Sequence, residues 1–168
     1  KFYDWKGKDD VPTYQVLMSM IRKRPRDIVK LCTMAAREAQ NNKKNIICSD
    51  HFKAIFEEYS QGRIQDTINE YRSELPSIYD LLFGMRPSRK ERDNGNGFIY
   101  TTIELRAKLN NLKQNNTFTF KNGNPASADD LIQFLYKINF LTARKVLDNG
   151  TIQRKYFEDN RYISSGRI

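Results

Sequence analysis

The chain is poor in the residues that metal sites and disulfide frameworks require. Its 168 residues include two cysteines, Cys32 and Cys48, and one histidine, His51. The cysteines lie in apolar surroundings without metal-ligand spacing, and one imidazole adds little, so the composition speaks against zinc and against a disulfide scaffold. Both thiols are expected in the core. No apolar run approaches the roughly 20 residues that span a bilayer, so no membrane partner is expected. The opening residues, Lys1-Phe2-Tyr3-Asp4-Trp5, carry neither a signal peptide nor an initiating Met, which reads as a piece of a longer cytoplasmic protein. Catalytic signatures are missing too. There is no G-x-x-x-x-G-K-[ST] phosphate loop, no G-x-G-x-x-G, no H-E-x-x-H, and no Ser or Cys with an evident histidine partner. The adjacent pairs Glu57-Glu58 and Asp129-Asp130 point to different helix sectors and read as surface charge and capping. The chain is not expected to be an enzyme by itself, and no catalytic or metal-binding residue is assigned.

Positive charge is what the sequence has in excess: 29 Lys and Arg against 20 Asp and Glu. That balance fits an anionic partner, and it fits an ordinary solvated surface equally. Residues 98–168 carry most of the excess, with 11 basic and 6 acidic side chains.

Apolar spacing predicts a first helix over Val11–Ile21, with Tyr14, Leu17, Met18 and Ile21 on one face. Pro25 suits the first position of a second helix, whose stripe is Ile28, Leu31, Cys32, Ala35 and Ala39. A third opens with Ser49 as N-cap and buries Phe52, Ile55, Phe56 and Tyr59; its stripe drifts through Ile64, Ile68, Tyr71 and Leu75 until Pro76. A short fourth is expected at Ser77–Phe83. The stretch GMRPSRKERDNGNG, 84–97, has no periodicity and reads as a basic linker or loop at a domain boundary. Beyond it come a helix at Thr102–Leu112, a turn at Asn122–Pro125, and a helix capped by Ser127 and Asp130 that buries Leu131, Phe134, Leu135 and Ile138. Two strand-like runs joined by Asp148-Asn149-Gly150 follow. Helix, helix, hairpin is the order of a winged helix. The expected class is α+β, mainly α: a helical bundle over 1–83, the linker 84–97, and a winged-helix domain over 98–168 with the hairpin as wing.

The second helix starts against electrostatic preference, with Arg22, Lys23, Arg24 and Arg26 at the positive end of its dipole. A bound anion would resolve the conflict. The run RPRDIVKLCTMAAREA, followed by IICSDHFKAIFEEYSQGRIQDTINEY with Ala54 and Tyr59-Ser60, resembles the region after the nucleotide-binding core in bacterial STAND and AAA-like P-loop ATPases, including anti-phage defence ATPases. The sharp element is R-P-R-D-[IL]; the long basic linker departs from the pattern. The resemblance implies a non-catalytic helical lid and winged helix on an upstream ATPase core of the same polypeptide, where ATP and Mg²⁺ would be held. It implies a sensor-2 role toward the γ-phosphate for Arg26, with Arg24 second, and Asp27 either orienting Arg26 or capping the helix. An interdomain latch made by the same arginines is the alternative. For the winged helix, DNA or an oligomer partner is the expected ligand. The helix DDLIQFLYKI lacks a set of base-reading side chains, whereas Arg144, Lys145, Arg154 and Lys155 on the hairpin can meet DNA phosphates without sequence preference. An independent DNA-binding module is the competing function.

Overall fold

The computed structural model describes residues 10–21, 25–93, 98–150, 152–159 and 161. Among these are seven helices and one two-stranded antiparallel sheet, so the fold is α+β and mainly helical. The chain divides into two compact units, Lys1–Gln65 and Asp66–Ile168, whereas the sequence expectation placed a boundary at 84–97.

In the first unit, α1 is Thr13–Met20, α2 is Pro25–Asn41, and α3, Ser49–Tyr71, begins. Its core is Val16, Ile21, Leu31, Ala35, Phe52, Ile55 and Tyr59. The small stripe of α2 is buried as expected at Leu31, Ala35 and Ala39. The face of α1 is rotated from the expected one: Val16 is fully buried, while Tyr14 and Met18 are 66% and 49% exposed. The segment is apolar at so many positions that periodicity admits two faces, and packing selects the one bearing Val16 and Met20. The end of α2 is closed by two backbone bonds, Lys43 N to Gln40 O at 2.9 Å and Lys44 N to Ala39 O at 2.8 Å. That arrangement holds Lys43 in the left-handed region at φ 54°.

The second unit contains α4 (Ile78–Gly84), α5 (Arg89–Asp93), α6 (Thr102–Asn115), α7 (Ala128–Lys137), β1 (Ala143–Val146) and β2 (Ile152–Lys155). Gly84 allows α4 to approach α6: a Cβ there would stand 2.6 Å from Leu112 Cδ2. Helices α6 and α7 pack together. Both start with full capping boxes, Thr101 with Glu104 and Ser127 with Asp130, the latter as read from sequence. Residues 116–127 between them hold an isolated bridge from Thr119 to Pro125. Each predicted core position of α7 is buried, together with Ile132 and Tyr136. Asn139 ends α7 at φ 55°. Its N–H reaches Tyr136 O at 2.9 Å and that of Phe140 reaches Leu135 O at 2.9 Å, a complete left-handed helix stop. The Asn139 side chain binds Glu158 Oε1 at 2.5 Å and accepts from Phe157 N at 3.4 Å, while Tyr136 Oη donates to Tyr156 O at 2.8 Å.

Within the expected loop 84–97, Arg89–Asp93 form α5. Ser88 and Glu91 cap α5, with Ser88 N donating to Glu91 Oε2 at 2.6 Å. Lys108 of α6 then holds Glu91 at 3.0 Å, Tyr100 Oη at 3.0 Å and Arg86 O at 3.1 Å. The Ser88 N–H, with help from Lys108, draws the Glu91 carboxyl from 4.5 down to about 2. Because the folded-state value lies below the unfolded one, this contribution to stability is complete above pH 4.5 and is lost as pH falls toward 2. Glu91→Gln is therefore expected to flatten that part of the acid limb, measured as urea midpoint against pH. An unchanged slope below pH 4.5 would refute the assignment.

Candidate functional site

Two basic surfaces are candidates, one in each unit. In the first, Pro25, Arg26 and Asp27 form the opening turn of α2. Arg26 is exposed, and Arg24 lies outside the described residues. Asp27 has a partner outside the expected turn: it is only 2% exposed, and its Oδ1 is bound by Nη1 of Arg63 on α3, 36 positions on. Its Oδ2 is buried without a hydrogen-bond partner.

Sequence reasoning missed Arg63, although a signal existed. Ile55, Tyr59 and Arg63 follow one another at four-residue intervals, and all three are buried. An arginine on the buried stripe of a helix requires an internal anion, and Asp27 supplies it. The pairing has an electrostatic consequence for the turn: the Asp27 carboxylate, which would repel an anion at the start of α2, is matched by Arg63. Arg26, in the same opening turn, is exposed at the positive end of the helix dipole.

His51 and Cys48 form a second contact the sequence did not reveal. Cys48 is exposed rather than in the core, and Cys32 is half-buried. Helix α3 begins at Ser49, so Cys48, not Ser49, precedes it as the cap residue. Its backbone N–H donates to Nδ1 of buried His51 at 3.0 Å, and its Sγ lies 3.4 Å from the same nitrogen. The imidazole thus does the reciprocal half of a capping box, reaching back from the third helical position. Among the described residues no group of three His, Cys, Asp or Glu is arranged to hold a metal ion, and no helix is long and apolar enough to cross a membrane.

In the second unit the hairpin pairs Ala143 with Lys155, Arg144 with Arg154, Lys145 with Gln153 and Val146 with Ile152. Side chains alternate along a strand, so the four candidate cations divide. Arg144 and Arg154 are opposed on one face, and Lys145 and Lys155 lie on the other. Two arginines directly opposite each other repel, and Arg144 Nε is buried without a partner. Lys145, Arg154 and Lys155 are exposed. Just after β2, Phe157 meets Tyr136 edge-on at 6.0 Å. On α7 the polar positions are engaged within the unit. Asp129 binds Arg106 at 2.7 Å, Asp130 caps the helix, and Lys137 binds Glu74 at 2.7 Å.

Residues 3–68 match the family model of the FunZ-associated C-terminal helical domain. The matched stretch nearly coincides with the first compact unit, and a helical domain was expected there. No curated protein and no solved structure matches the chain. The arrangement of α1, α2 and the first part of α3 around one core is thus accompanied by a family likeness, and the basic hairpin lies beyond the matched residues.

Proposed function

We propose that the first unit is the nucleotide-reading lid of a P-loop ATPase and that the second is its winged-helix interaction module. The observation that carries this reading is the exposed Arg26 in the opening turn of α2, a turn that the buried Asp27–Arg63 pair ties to α3. The guanidinium and helix N-terminus suit a phosphate. Bound ATP, with its Mg²⁺, would supply a γ-phosphate whose presence or absence biases two arrangements of the lid. Arg26 would contribute the differential contact, and Asp27 with Arg63 would hold the turn that presents it. The match to a C-terminal helical domain accords with a lid that follows another domain.

In the full-length ATPase, Arg26→Ala is expected to weaken ATP-dependent stabilisation or turnover about tenfold, within the usual range of coupling free energies. The stability of the nucleotide-free protein should stay within about 0.5 kcal/mol, as for other exposed positions. Arg26→Lys should also impair coupling, because lysine keeps the charge without the bidentate fork. Thermal shift with and without ATP measures both. Equal ATP stabilisation and turnover in all three proteins would dismiss the sensor. A stability loss already present without ATP would identify an interdomain latch.

The hairpin favours a second reading, an independent module that binds DNA without sequence preference. Opposed Arg144 and Arg154 gain nothing from each other, and phosphates would satisfy both.

A further inference from the structure

The second unit contains a cleft of about 650 Å³, within the size range of small-molecule sites. Buried Phe134 and half-buried Phe120 and Phe157 give it an aromatic lining, with Phe120 and Phe134 edge-to-face at 5.7 Å. Its two carboxylates are already engaged: Glu74 binds Lys137 at 2.7 Å, and Asp130 accepts from Ser127 N at 2.9 Å and Ser127 Oγ at 2.6 Å. Lys121 and Arg161 also line the cleft, and neither has a carboxylate partner among the described residues. The carboxamide of Asn122 accepts from Asn124 N through Oδ1 at 3.0 Å, which leaves Nδ2 to donate.

We propose that this cleft binds a nucleoside phosphate, its base against the phenylalanine rings and its phosphate between Lys121 and Arg161. An aliphatic anion would leave the rings unused, and an uncharged aromatic would leave the two cations unused. A planar base with a phosphate engages both, and the Asn122 amide can donate to a base edge or the sugar. Base stacking on aromatic side chains tolerates different bases, so the lining specifies the class and not the base. The proposal does not rest on the lid or hairpin readings, because no residue of the cleft lies in the first unit or in strands β1 and β2.

Calorimetric titration of the 168-residue chain with AMP, adenosine, inorganic phosphate and a 5′-phosphorylated tetrathymidylate tests it. AMP should bind saturably, with adenosine and inorganic phosphate each weaker by at least about tenfold. Lys121→Glu with Arg161→Glu, both exposed changes, should lower AMP affinity by at least about tenfold and leave adenosine unchanged. Arg26→Ala and Lys145→Glu with Arg154→Glu should leave AMP binding intact, which separates this site from the other two. Tighter binding of the tetranucleotide than of AMP that survives Lys145→Glu with Arg154→Glu and is lost in Lys121→Glu with Arg161→Glu assigns the cleft to a strand end; tighter AMP binding assigns it to a free nucleotide. Absence of saturable AMP binding, phosphate binding as tight as AMP, or AMP affinity that survives the double charge reversal would overturn the proposal.

Discussion

Asp27→Ala is expected to destabilise the first unit by about 3–5 kcal/mol, the cost of breaking a buried ion pair by removing one partner. Alanine would remove the Asp27 carboxylate from a guanidinium held inside the protein, since both side chains are at least nine-tenths buried. Asp27 also stands in the first turn of α2, where a carboxylate favours the helix. Replacing the two together, Asp27→Leu with Arg63→Met, should restore most of the stability or exceed it, because the pair's Coulomb attraction largely offsets its desolvation. Urea unfolding combined with amide exchange in α2 and α3 measures the effect in the unit concerned. A loss below about 1 kcal/mol for Asp27→Ala, the size expected of an exposed pair, would mean that Arg63 finds water or another acceptor.

Lys145→Glu with Arg154→Glu should reduce duplex DNA binding by at least about 100-fold at low salt, since it takes one cation from each face of the hairpin and replaces it with a repelling charge. Wild-type affinity should fall with salt at a slope of up to about −3.6 for four phosphate contacts, at roughly −0.9 for each, and vary little with sequence. Arg154→Gln distinguishes a binding charge from a structural one. It relieves the cross-strand repulsion with Arg144, so the hairpin should become slightly more stable, by about 0.2–1 kcal/mol, while binding weakens. Fluorescence anisotropy across a salt series gives the affinities and amide exchange the hairpin stability. Preference for one duplex over scrambled competitors would move recognition from the hairpin to base readout. Undiminished binding by the double variant would remove the hairpin as a DNA surface.

Most helices were legible because their apolar spacing had one solution. The stripes of α2 and α7, the Ser127–Asp130 capping box, and the turn at Gly150, with φ 77°, follow from residue types at fixed offsets. Where spacing admitted two solutions, packing decided, and the face of α1 came out rotated. Long-range partners were less accessible. Arg63 is 36 residues from Asp27, and only its place on the buried side of α3 hinted at the pairing. Lys108 organises residues that look like punctuation, Arg86, Glu91 and Tyr100, by offering one ammonium to three acceptors. The hairpin cations were named as one group, but strand register divides them in two. Register depends on which residues face each other across the turn, and the composition of the strands does not state it.

The contacts at Tyr136 and Asn139 on one side, and Tyr156, Phe157 and Glu158 on the other, close the chain at a neck from which the hairpin projects. Whatever lies between is bracketed by bonds that do not depend on its length or composition. Extending a closed excursion costs little, about 0.6 kcal/mol for each doubling. The hairpin is in that sense an exchangeable cassette: its tip can be lengthened, recharged or replaced while the helix that carries it keeps its ending, so its surface chemistry can change without refolding the unit beneath it.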